Sequence, residues 1–83
     1  MIKKSITTTG KKEPERAVPM LVQTASSFRS SIMLSMGEKT VNAKSIMGML
    51  AFGVTSGAVI EVTVDGEDEQ EAMDRIEALL TED

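Results

Sequence analysis

The sequence predicts a small α+β domain, a two-layer sandwich with the element order β-α-β-β-α-β-α. Three observations predict it. Residues 31–36 and 58–64 alternate apolar and polar side chains, the period of strands with one buried face. Val18, Leu21, Val22 and Ala25 recur at helical spacing, as do Ala72, Ile76, Leu79 and Leu80. Finally, 83 residues at 41% hydrophobic content make one domain, spanning 1–83, with a single core. Strands apolar on one side need helices laid over that side.

Taken in order, residues 2–9 are rich in β-branched side chains and form the first strand. Residues 10–14 are a polar loop. The first helix is placed at residues 19–27, after an irregular turn over 15–18, because proline suits a first helical position and not an interior one. In the strand at 31–36, Ile32, Leu34 and Met36 share a face, and Gly37-Glu38 turns the chain back into 40–43 as a hairpin. A short helix follows Ser45 and ends near Gly53, and Gly57 closes the next loop. Ala58, Ile60, Val62 and Val64 then point one way from a strand that Asp65-Gly66 terminates. Asp68 is expected to cap the last helix with Glu71 three residues on, a capping box in carboxylate form, with Met73 beside the buried stripe.

Composition removes several function classes. There is no cysteine, so disulfides and thiolate metal sites are excluded, and neither metal nor cofactor is expected. No apolar stretch approaches the roughly 20 residues of a membrane span, and the N-terminus lacks a signal-peptide core, so a cytoplasmic location is expected. Net charge is −4, split between about +5 over residues 1–44 and −9 over 45–83. That split reads either as ordinary solvated faces or as a field that steers a charged protein partner. Nucleic acid is disfavoured, since Phe28 and Phe52 are the only aromatics available for stacking.

Chemistry concentrates at Ser45. It stands directly before Ile46-Met47-Gly48-Met49-Leu50-Ala51-Phe52, seven residues without a polar side chain. A serine there can cap the helix by accepting a first-turn N–H, a contact worth about 1 kcal/mol. An apolar helix in so small a domain also has to leave part of itself uncovered. Cap and apolar surface together suggest a modifiable docking site; a plain cap on a core helix is the simpler alternative.

Three segments then carry a resemblance. Leu21-Val22-Gln23-Thr24-Ala25-Ser26-Ser27-Phe28, Lys39-Thr40-Val41-Asn42-Ala43-Lys44-Ser45-Ile46-Met47-Gly48-Met49-Leu50 and Asp65-Gly66-Glu67-Asp68-Glu69-Gln70-Glu71-Ala72 closely resemble the HPr family. These are the small phosphocarriers of the phosphoenolpyruvate-dependent sugar phosphotransferase system. The likeness runs from about Met20 to the C-terminus, and the stretch Asn-x-Lys-Ser-Ile-Met-Gly is specific to it. It implies an open-faced β-sandwich: a four-stranded antiparallel sheet with three helices on one face.

The resemblance implies two phosphorylation sites. The first is a histidine at the start of the first helix that relays phosphate from enzyme I. This chain has no histidine. The family's slot falls on Pro14 when aligned from the helix side and on Lys12 when aligned from the strand side, and neither side chain can form a phosphoimidazole. The second site is the serine matched by Ser45, with Lys44, Ile46, Met47 and Gly48 matching around it. There the implied partners are an HPr-type serine kinase/phosphorylase and a catabolite control repressor, with other phosphotransferase-system proteins also open. Arg16, Lys44, Ile46, Met47 and Leu50 are the expected partner-binding residues. A subgroup known as Crh shares this logic, lacking the histidine and keeping the serine, although its loop differs from residues 10–19 here. The expectation is a non-enzymatic regulatory phosphoprotein. A phosphocarrier component of the sugar transport system, or a repurposed scaffold with the same fold, are the alternatives.

Overall fold

A computed structural model describes residues 1–9, 14–53 and 57–81, apart from the side chains of residues 14–16. The order is β1 (Ile2–Thr7), α1 (Pro14–Ser26), β2 (Ser31–Met36), β3 (Lys39–Asn42), α2 (Ile46–Phe52), β4 (Val59–Asp65) and α3 (Glu69–Thr81). The strands form one antiparallel sheet in the order β1-β4-β2-β3. In register, Ile6 faces Ile60, while Val62 lies between Lys4 and Leu34 and Val64 between Ile2 and Ile32.

That register gathers the alternating apolar residues on one side. Ile6, Ile32, Leu34, Val41, Ile60, Val62 and Val64 are buried there. Over them pack Val18, Leu21 and Ala25 from α1, Met49 and Phe52 from α2, and Ala72, Met73, Ile76 and Leu80 from α3. The opposite face carries Lys3, Ser5, Thr7, Thr40, Glu61 and Thr63, mostly polar as a solvated sheet face should be, with Met33 and the exposed Val59 as apolar members. The open-faced sandwich is therefore the fold, with all three helices on the apolar side.

The start of the first helix differs from the sequence expectation. α1 begins at Pro14 and contains Pro19, with no late or irregular start at residues 15–18. Pro14 occupies the first helical position, where a missing N–H costs nothing. Pro19 lies further in and removes one backbone bond, a penalty of about 3 kcal/mol or more. Val18 and Leu21, one turn apart and both buried, offset it, since each contributes about 1.5–3 kcal/mol on burial. The hydrophobic stripe outweighs the proline.

β1 also ends two residues earlier than expected, at Thr7. Thr8 still exchanges backbone bonds with the β4 side, to the carbonyl of Ala58 and from the N–H of Gly57, each at 2.8 Å. Thr9 then turns to α3: its N–H donates to the Leu80 carbonyl (3.1 Å) and its hydroxyl to the Thr81 carbonyl (2.6 Å). Two otherwise orphaned helix-end carbonyls are satisfied from another element.

Asp68 corrects a second expectation. Its carbonyl does accept the first α3 bond, from the N–H of Ala72 at 2.9 Å, so it is the cap residue by backbone. Its carboxylate, however, forms no capping box with Glu71, which is exposed. It accepts the N–H groups of Arg29 and Ser30, both at 2.9 Å, and the Ser30 hydroxyl. Gly66 makes room for this, because a Cβ there would lie 2.6 Å from the Ser30 Cα. Glu69 accepts the Gly66 N–H in its place at 3.2 Å. The Ser30 hydroxyl, followed by the Arg29 N–H, pulls the Asp68 carboxyl down to about 2.

A folded-state value below the ordinary one near 3.9 makes the carboxylate stabilising above about pH 4. That contribution is lost as the pH falls toward 2. Asp68→Asn, lacking this titration, should be less stable than wild type at pH 7 and lose less between pH 4 and pH 2. Urea unfolding of both proteins across that range checks it; parallel pH profiles would sink the assignment.

Candidate functional site

Ser45 is positioned by the chain leaving β3. The Asn42 side-chain oxygen accepts the Lys44 N–H (2.9 Å) and the Asn42 carbonyl accepts the Ser45 N–H (3.0 Å), a local turn of the kind asparagine favours. Ser45 itself is extended, with φ −100° and ψ 113°, as a helix cap should be. Its Oγ accepts the Gly48 N–H at 3.2 Å and its carbonyl accepts the Met49 N–H at 2.9 Å. Gly53, left-handed at φ 71°, closes the other end of α2 with its N–H on the Met49 carbonyl.

Gly48 keeps this turn tight. A Cβ there would meet Val41 Cγ2 at 2.5 Å and the Ser45 Oγ at 3.2 Å, so the glycine lets α2 lie directly on β3. The same close approach fixes which way the apolar run divides. Met49 and Phe52 enter the core, whereas Ile46, Met47 and Leu50 are 48%, 78% and 58% exposed. Ser45 is exposed beside them. The result is a hydroxyl at the head of an apolar surface, with no acidic residue in the first turn of the helix.

The remaining expected site residues fall in different settings. Lys44 is half-buried, and its ammonium donates to the Phe28 carbonyl at 2.9 Å. Arg16 is in the first turn of α1, but its side chain lies outside the described residues, and so does Lys12. Pro14 is the first residue of α1. Met20, exposed on α1, carries no sequence signal, because it stands outside the stripe of Val18, Leu21 and Ala25. Among the described residues, no helix is long and apolar enough to cross a membrane.

Comparison with known proteins adds the family. The family described as PTS HPr component phosphorylation site matches residues 6–82. The phosphocarrier protein HPr of Xylella fastidiosa is 48% identical over 65 residues, 78% of this chain and 73% of that one. The HPr-like protein Crh of Bacillus subtilis is 40% identical over 68 residues, 82% of this chain and 80% of that one. The crystal structure of a phosphocarrier protein HPr from Bacillus anthracis superposes with a TM-score of 0.90 at 32% identity, covering 96% of each chain.

Proposed function

The chain belongs to the HPr family, and within that family we propose that it is a regulatory phosphoprotein switched by a phosphate ester at Ser45. The carrying observation is an exposed serine hydroxyl heading an exposed apolar helix face, in a chain that has no histidine. The likeness to Crh, described in its solution structure as a catabolite repression HPr, supports the same direction.

The chemistry is a phosphoryl transfer. Ser45 Oγ bonds to the phosphorus of the donor while the donor's own P–O bond breaks and the hydroxyl proton passes to a base of the kinase. The ester adds about −1.5 to −2 charge and three acceptor oxygens at the surface. A serine kinase/phosphorylase of the HPr type is the partner that fits this step. The modified face would then dock on a catabolite-control transcription regulator. Arg or Lys of that partner reads the phosphate while Ile46, Met47 and Leu50 give apolar contact, the adaptable methionine among them. The cytoplasm is the compartment where such partners meet.

Two reactions test it. Incubation with enzyme I and phosphoenolpyruvate should leave no acid-labile phosphate on the chain, since Lys12 and Pro14 offer no imidazole. Incubation with the serine kinase and its phosphoryl donor should place one acid-stable phosphate on Ser45. Label from enzyme I would restore the phosphocarrier reading, and a kinase reaction that spares Ser45 would leave only the scaffold.

A further inference from the structure

Lys44 is turned away from the apolar face it adjoins. Its ammonium reaches across 16 residues of sequence to the Phe28 carbonyl, in a partly buried contact. Phe28 lies just past α1, and the N–H groups of Ser27 and Phe28 still bond to the carbonyls of Thr24 and Ala25. This is the negative end of the helix, whose own last turn holds no basic residue. Lys44 supplies that missing cation from another element. No ion pair among the described residues involves Lys44, whose ammonium has the Phe28 carbonyl as its acceptor.

The same cation directly precedes Ser45. Neighbouring Cα atoms are about 3.8 Å apart, and the flexible four-carbon lysine stem can swing its ammonium to a group on the next residue. A phosphate on Ser45 would compete with a neutral carbonyl for that ammonium. Both bonds have a charged donor, but the ester brings about −1.5 to −2 of acceptor charge where the carbonyl brings none, so Coulomb attraction favours the ester. We propose that Lys44 is a two-position cation. In the unmodified chain it holds the end of α1 through Phe28; with phosphate on Ser45 its ammonium moves to the ester and releases that end. The change is then felt at the turn between α1 and β2, away from the modified helix. The proposal rests on the reading of Ser45 as the modified residue.

The test uses the full chain made with phosphoserine at position 45 by chemical synthesis, so that no kinase is needed. Phosphorus NMR titration should give a second phosphate pKa lower, by about half a unit or more, than in the same phosphorylated chain carrying Lys44→Met. Amide exchange at Ser27 and Phe28 should quicken severalfold on phosphorylation, and Lys44→Met should quicken it to a similar degree without phosphate. Equal phosphate pKa values with and without Lys44 would overturn the proposal. So would unchanged exchange at Ser27 and Phe28 on phosphorylation, a comparison that needs no variant and stands even if Lys44→Met does not fold. A kinase that ignores Ser45 would sink the regulatory reading and leave both measurements valid.

Discussion

Ser45→Ala is expected to abolish phosphorylation-dependent partner binding while the domain stays folded. The hydroxyl accepts one hydrogen bond, from the Gly48 N–H, at an exposed helix end. Water can take over that donor, so the loss is that of a helix cap, about 1 kcal/mol. In a domain this size the melting temperature should fall by roughly 4–8 °C. Binding has no such reserve, because among the described residues no other serine heads an exposed apolar helix face; Ser26 and Ser31 are exposed but do not precede one. Ser30 is fully buried and bonded to Asp68, and the Ser27 hydroxyl is held by the Thr24 carbonyl at 2.6 Å. Phosphate incorporation, affinity for the regulator and thermal unfolding should be measured on one preparation. A Ser45→Ala chain that still takes phosphate and binds would remove Ser45 from the mechanism.

Met47→Asp should separate binding from folding in the same way. Met47 is 78% exposed and second in α2, where an added carboxylate meets the positive end of the helix. Stability should therefore stay within about 0.5 kcal/mol of wild type. Affinity for the partner should drop between about tenfold and a hundredfold, because an unpaired charge enters an apolar contact. Met49→Asp is the contrasting control. With its side chain fully buried, the charge has nowhere to go and the domain should unfold. Should Met47→Asp unfold the chain instead, Met47 is core and the docking surface lies elsewhere.

What could be read from the sequence was what is local in it. Ile60, Val62 and Val64 announce a half-buried strand because side-chain direction repeats every two residues. Ser45 announces a cap because its acceptor role spans only three residues, to Gly48. The role of the Asp68 carboxylate is hidden for the converse reason. That carboxylate serves Arg29 and Ser30, 39 and 38 residues away, and no spacing rule reaches that far. The contact from Lys44 to Phe28 was hidden likewise. At Pro19 the local proline rule and the stripe of Val18 and Leu21 point opposite ways, and burial is the larger quantity. The strand order itself is a property of the assembled sheet, which alternation cannot encode.

That order has a consequence for how the chain acquires its shape. β2 and β3 are joined by two residues and can pair at once, whereas β1 pairs only with β4, more than fifty residues later. Loop closure over such a distance is costly in entropy and slow compared with hairpin formation. On the ribosome β1 emerges long before its neighbour and pairs late, and the hairpin keeps an open edge on β2 until β4 inserts between them. During that interval the β4 of a second chain can compete with its own, which keeps the advantage of being tethered. Crowded synthesis of this protein therefore carries a risk of strand exchange, set by the order of the sheet and not by any one residue.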